Sequence, residues 1–150
     1  SNTTQRFDAQ AEIPTLLEVL AQIYQTTPKQ VQLNLPNALP RVGDREDMLE
    51  LLGNVLDNAY KWSRHAIQIT FSLEADQIVI SIEDDGLGQD ETALKQLSQR
   101  GVRLDENISG HGLGLAISQD IAKLYGGSLS FGRSPLLGGL KASIRLPLSH

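Results

Sequence analysis

The sequence predicts an α+β two-layer sandwich: a mixed, mostly antiparallel sheet covered on one face by three helices, with a long glycine-punctuated segment before the last helix. Three observations lead there. Apolar residues recur at three- and four-residue intervals in separate stretches, the period of an amphipathic helix. Strictly alternating segments come in neighbouring pairs joined by short turns, the mark of antiparallel hairpins. The order is a short polar start with room for one strand, then α-β-α-β-β, a polar segment, and α-β-β, which does not suit a doubly wound parallel sheet.

Ile13, Leu16, Leu17, Leu20, Ile23 and Tyr24 define the first helix, and "TTPKQ" (26–30) ends it. "VQLNLP" (31–36) alternates like a short strand, and Pro36 and Pro40 bound the loop after it. A second helix spans about 45–63, opened by Asp44, whose carboxylate can accept the free N–H groups of the first turn. Met48, Leu52, Val55 and Ala59 form its apolar stripe, with Leu51 and Leu56 on the flanks. Ile67, Ile69, Phe71 and Leu73, then Ile78, Ile80 and Ile82, follow a period of two around the turn "EADQ", so they form a hairpin. Residues 86–110 are polar, with room for at most one short helix; loops of that length in compact domains are usually functional. A third helix, about 112–125, stops at Gly126-Gly127, and strands at 128–132 and 140–148 flank the turn "RSPLLGG".

A chain of 150 residues suits one domain, 1–150, and no window is apolar enough to span a bilayer. With 13 basic against 18 acidic residues dispersed along it, the net charge of -5 leaves no basic stripe, so nucleic acid is not an expected partner. The absence of cysteine excludes disulfides and thiolate metal sites and favours an intracellular setting. The chain starts Ser1-Asn2-Thr3, with neither an initiator Met nor a signal peptide, and is expected to be a fragment of a larger protein.

"GHGLGLAI" (110–117) places Gly110, Gly112 and Gly114 before an apolar helix, with His111 and Leu113 between them. It is not a Walker loop, because no Lys-Ser or Lys-Thr follows. A dinucleotide fingerprint is disfavoured by the G-x-G-x-G spacing and by the polar segment, rather than a strand, before it. A simple tight turn remains open. The second helix adds company: Asn54, Asn58 and Lys61 stand at i, i+4 and i+7, one polar row beside the apolar stripe. Such rows are usually solvated, but mid-helix asparagines compete for backbone hydrogen bonds, and a site would explain them. An Asn carbonyl oxygen is a hard neutral ligand for Mg²⁺, and Lys61 offers an ammonium for phosphate. "EDDGLGQ" (83–89) adds Gly86 and Gly88, which allow sharp turning, and Asp85, whose carboxylate can only accept hydrogen bonds and suits an exocyclic amine such as that of adenine.

In this order, "ELLGNVLDNAYKW" (50–62), "EDDGLGQ" and "GHGLGLAI" resemble the N, G1 and G2 boxes of the catalytic ATP-binding domain of bacterial sensor histidine kinases. The wording is most similar to PhoQ-type kinases. That family shares the Bergerat-type ATP-binding fold with gyrase, Hsp90 and MutL ATPases, and the resemblance covers nearly the whole chain. It implies a long ATP lid at about 87–109. It implies that Asn58 binds Mg²⁺, that Asn54 supports metal and phosphates, and that Lys61 meets a phosphate oxygen. Asp85 would read the adenine amine and Trp62 would stack on the base, with Tyr60 as second candidate. In the lid, Arg103 of "RGVR" would reach phosphate, with Arg100 as a second. Gly110, Gly112 and Gly114 would let backbone N–H groups approach the phosphates, with His111 a lid residue nearby. Leu94 and Leu97 replace the phenylalanines usual in the lid, and Gln89 stands where an aliphatic residue is common.

The ATPase branch carries a glutamate where this chain has Asn54, and an amide cannot act as a general base, so hydrolysis is disfavoured. None of His65, His111 and His150 lies in an acceptor-type segment. The resemblance therefore implies a Mg-ATP-binding catalytic domain of a two-component kinase that delivers the γ-phosphoryl group to a histidine on separate dimerisation helices of the same receptor. A response regulator would act downstream. The domain would sit on the cytoplasmic side of a bacterial inner-membrane receptor without touching the membrane itself. The alternative within the superfamily is a serine kinase of the anti-sigma-factor type.

Overall fold

The computed structural model describes residues 5–86 and 112–148, with side chains in the last helix described from Gly114 onward. The elements are α1 (Ala9–Ile23), β1 (Gln30–Asn34), α2 (Arg45–Trp62), β2 (Ala66–Glu74), β3 (Gln77–Asp84), α3 (Gly112–Leu124), β4 (Ser128–Arg133) and β5 (Leu140–Pro147). The sheet order is β1-β2-β3-β5-β4; β1 runs parallel to β2, and the remaining pairs are antiparallel. The parallel pair needs a crossover, and α2 supplies it, lying back on the sheet as such connections do. No helix among the described residues is long and apolar enough to cross a membrane.

Alternation sets the core. Ile67, Ile69 and Phe71 of β2, Ile78, Ile80 and Ile82 of β3, Ala142, Ile144 and Leu146 of β5 and Leu129 of β4 all face the helices and are buried. Register aligns them in rows, Ile69 beside Ile82 and Ile80 beside Ile144, and each larger side chain contributes about 1.5–3 kcal/mol by leaving water. The opposite face carries half-buried polar residues such as Gln68, Thr70, Ser81 and Ser143.

Asp44 caps α2 as expected, its Oδ2 accepting the Asp47 N–H at 3.2 Å. Leu51 and Leu56, expected on the flanks, are fully buried, because α2 packs on β3 on one side and on α3 on the other. α2 and α3 run antiparallel. Gly114 faces Asn54, the Ser118 hydroxyl donates to the Leu51 carbonyl (3.1 Å), and the Tyr125 hydroxyl donates to Asp47 Oδ2 (2.6 Å). α3 then stops where the two glycines predict. Gly126 takes φ +76°, its N–H bonds to the Lys123 carbonyl and that of Gly127 to Ala122, the two-bond helix ending that glycine favours. A Cβ on Gly127 would overlap the Arg145 carbonyl oxygen of β5.

Some expectations shift. Among the described residues the opening segment forms only an isolated bridge, between Arg6 and Asp44. β1 ends at Asn34 rather than at Pro36, which has no N–H to offer a ladder. Ile23, counted in the apolar stripe of α1, is 63% exposed at the helix end, while Ile13 and Leu20 carry the burial. α1 is tied to α2 by Tyr24, whose ring stacks on Tyr60 (centroids 5.5 Å apart) and whose hydroxyl donates to Asp57 (2.7 Å).

Burial and the Asp57 carboxylate push Tyr24 up to about 12, and burial also raises Tyr60 and Tyr125. A folded pKa above the unfolded value of about 10 means stability that is complete below pH 10 and lost as pH rises through the folded value. Spectrophotometric titration of tyrosinate should find none of the three at the ordinary value, with folding stability declining between about pH 10 and 12. A tyrosine of the folded protein titrating at the model-peptide value would contradict these contacts.

Candidate functional site

The site grows from the last three residues before the turn at Gly86, the consecutive carboxylates Glu83, Asp84 and Asp85. Strand geometry sends neighbours to opposite faces. Glu83 turns to the outer face, buried, and accepts from the Ser134 hydroxyl at 2.8 Å. Asp84, in register with Ile67, turns to the helix face and is only 3% exposed. Its Oδ1 accepts the Gly86 N–H (2.8 Å) and the Leu140 N–H (3.2 Å), and no described residue donates to Oδ2. Burial raises the Asp84 pKa, with the two N–H groups offsetting part of the effect.

Asp85 lies past the strand and holds the corner between α2 and β2. Its carboxylate accepts the N–H groups of Arg64 (2.8 Å) and His65 (3.0 Å). Burial alone would raise its pKa, but the N–H groups of His65, Ala66 and Arg64 outweigh that and hold it low. Lys29 braces the same corner from below, donating to the Ser63 carbonyl (2.7 Å) and more weakly to Arg64 (3.4 Å). Gly86 passes so close to the end of α2 that a Cβ would sit 2.5 Å from the Trp62 carbonyl oxygen. The expectation that Asp85 offers its carboxylate to a base therefore needs correction: Asp85 is an anchor, and the carboxylate facing the helix layer is Asp84. The signal was present in the sequence, since the alternation that turns Ile78, Ile80 and Ile82 inward also turns position 84 inward.

Along α2 the polar row grades from half-buried Asn54 through buried Asn58 to exposed Lys61. A Cβ on Gly114 would stand 3.5 Å from Asn54 Cγ, so the start of α3 is brought against the first asparagine. Trp62 is half-buried at the end of α2, with the Lys61 ammonium 5.6 Å from its ring centre, within range of a cation–π contact. Tyr60, the second candidate for stacking, is corrected: it is buried against Tyr24 of α1 and belongs to the core. The helix backbone begins at Gly112; Gly88, Arg100, Arg103, Gly110, His111 and the side chain of Leu113 lie outside the described residues.

Missed by sequence reading were Asp84, Glu83, Ser134, Gly139 and Lys29. A Cβ on Gly139 would overlap Asp84 Oδ1, so that glycine is required by close approach. Gly86 is set against the end of α2 and the start of α3 against Asn54; a buried carboxylate acceptor, an indole, two amides and a helix start are groups that suit a planar amine-bearing base joined to an anion. Among the described residues no group of three or more His, Cys, Asp or Glu could form a metal cage. Asn54 and Asn58 carry neutral amide oxygens, which would fit a hard cation only if an anionic ligand shared it, as Mg²⁺ does with phosphates.

Comparison with known proteins adds the following. The family of histidine kinase-, DNA gyrase B-, and HSP90-like ATPases matches residues 43–150. The sensor protein kinase CarS of Pseudomonas aeruginosa is 44% identical over 142 residues, 95% of this chain and 32% of that protein. The sensor protein PhoQ of Escherichia coli (strain K12) is 30% identical over 138 residues, 92% of this chain and 28% of that protein. This chain thus spans less than a third of these relatives. Among solved structures, the catalytic domain of histidine kinase ThkA superposes with TM-score 0.80 at 19% identity, covering 95% of this chain and 96% of that one. Full-length ShkA in complex with AMPPNP gives 0.77 at 22% identity, covering 96% of this chain and 31% of that one. These two likenesses establish the fold, including its mixed sheet with helices on one face.

Asp84 and Asp85 should respond in opposite senses. Asp84→Asn keeps an acceptor for the Gly86 and Leu140 N–H groups while removing a buried charge, so the unliganded protein should gain stability above the ordinary carboxylate range. Asp85→Ala leaves the Arg64 and His65 N–H groups without their partner and should lose about 1 kcal/mol. Because its pKa is lowered, that contribution is present above the unfolded value and disappears as pH falls through the folded one. Denaturant titrations at neutral pH and at pH about 3, near the carboxylate range, test both; equal destabilisation by the two substitutions would refute the assignment.

Proposed function

This chain belongs to the family of histidine kinase-, DNA gyrase B-, and HSP90-like ATPases, and from that premise we propose that residues 1–150 form the Mg-ATP-binding catalytic unit of a two-component sensor histidine kinase. The observation that carries the reading is Asp84, a buried carboxylate on the helix face of β3 whose Oδ1 is held by the backbone N–H groups of Gly86 and Leu140. An acceptor-only group in that place favours the amino group of adenine over the carbonyl of guanine.

Trp62 then lies against the base, its large face offering stacking area at the end of α2. Asn58 would hold Mg²⁺, Asn54 would support the metal and the phosphates, and Lys61 would add a positive charge for a phosphate oxygen. When bound, the ion neutralises phosphate charge and orients the terminal phosphoryl group. The α3 N-terminus at Gly112 to Gly114 presents N–H groups to anionic oxygens. Gly88, Arg103, Gly110, His111 and Leu113 complete the phosphate side in this reading, with residues 87–109 as the lid.

Nothing in this set activates water. Asn54 stands where a general base would be needed, and an amide cannot take a proton near neutral pH. The chain's residues bind, orient and screen charge, which is what phosphoryl transfer chiefly demands. The nucleophile is a histidine on the dimerisation helices of the same receptor, from which a response regulator takes the phosphoryl group. The receptor sits in a bacterial inner membrane with this unit on the cytoplasmic side.

Trp62 is the single tryptophan and reports on the site directly. Its emission should change on titration with Mg-ATP or Mg-ADP, and Asn58→Ala and Asp84→Asn should each weaken binding at least about tenfold, or 1.4 kcal/mol. Unchanged affinity in both variants would refute the site. In a second measurement, labelled ATP is added with the receptor's dimerisation helices. Label on those helices that resists alkali and is lost in acid supports transfer to histidine, whereas acid-stable label would identify a hydroxyl acceptor and overturn the kinase class.

A further inference from the structure

The loop joining β4 to β5 is not among the residues assigned to the ligand, yet it is built onto Asp84. Ser134, 1% exposed, donates its hydroxyl to buried Glu83 on the outer face of the sheet and accepts the Leu137 N–H at 2.9 Å. Its own N–H bonds to the Gly139 carbonyl (2.7 Å), and its carbonyl accepts the Gly138 N–H (2.8 Å). The loop is thereby closed on itself and hung from Glu83. Its far end delivers two N–H groups to Asp84: Gly139 to the backbone carbonyl (3.0 Å) and Leu140 to Oδ1 (3.2 Å).

These contacts form one chain of constraint through β3. Glu83 and Asp84 are adjacent and point to opposite faces, so a loop fastened to the first is held in register with the second. A carboxylate rotates readily about its last torsion. Two donors on Oδ1, one from Gly86 and one from Leu140, fix that rotation and determine where Oδ2 points.

We infer that the Ser134–Glu83 pair is a positioning device for base recognition: it holds the β4–β5 loop so that the Leu140 N–H sets the Asp84 carboxylate toward the amino group of the base. This rests on the reading of Asp84 as the adenine acceptor. Ser134 and Glu83 touch no ligand; they act through Asp84. A pair serving stability alone would affect all nucleotides equally, whereas a positioning pair affects only contacts made by Asp84.

The test uses ATP and purine riboside triphosphate, which lacks the amino group, each with Mg²⁺ and read by Trp62 emission. The unsubstituted protein should prefer ATP; absence of any preference would refute the Asp84 reading itself and this inference with it. Ser134→Ala should weaken ATP binding about tenfold, the worth of one buried polar contact, and leave the analogue within about twofold. Glu83→Gln keeps an acceptor for the hydroxyl and should retain the preference. Should Ser134→Ala fail to fold, Ser134→Cys, of similar shape with a weaker donor, carries the test with a smaller loss in the same direction. Equal losses for both nucleotides, or a preference unchanged in the Ser134 variants, would overturn the inference.

Discussion

The constraint on which the rest depends is the strict two-residue period of β3, the middle strand of the sheet. Its apolar half, Ile78, Ile80 and Ile82, provides the floor on which α2 packs and fixes which face is inward. The same period continues into the carboxylates, where no hydrophobic term acts, and still decides their directions. Glu83 goes out, Asp84 goes in, and Asp85 leaves the ladder to hold the α2–β2 corner. Burying one carboxylate is costly unless donors meet it. Here the donors are backbone N–H groups, whose positions the flanking glycines permit.

The second organising contact is the antiparallel packing of α2 on α3. Ser118 on the Leu51 carbonyl and Tyr125 on Asp47 fix the sliding register of the two helices. With that register set, Gly114 arrives against Asn54 without any direct bond being required. The two boxes lie about sixty residues apart in sequence, and it is the far end of the helix pair that brings them together. Stability and site geometry therefore share the same helix pair.

Much of this was legible in advance. Asp44 as a cap, Gly126-Gly127 as a stop and the hairpin of β2 and β3 each follow from local chemistry, and each is in place. The polar row of Asn54, Asn58 and Lys61 was readable because helical period is itself local. Tyr60 and Trp62, two residues apart on a helix, point about 200° apart, and only the position of α1 decides which aromatic is covered. The sequence expectation falls on Asp85, although the parity of β3 already turns Asp84 inward. Ser134 and Glu83, 51 positions apart, gave no local signal at all.

The sequence by itself determined element type, core faces and the family, because periodicity, caps and ordered boxes act over a few residues or recur as fixed wording. The parity of β3 already turns position 84 inward; only the tertiary structure decided which N–H groups meet Asp84, which carboxylate is spent on a corner, and which loop holds the first in place. The physical reason is that hydrogen bonding in a buried corner is a matter of accounting for every donor and acceptor, and the donors to Asp84 and Asp85 come from segments that meet only when the sheet has formed.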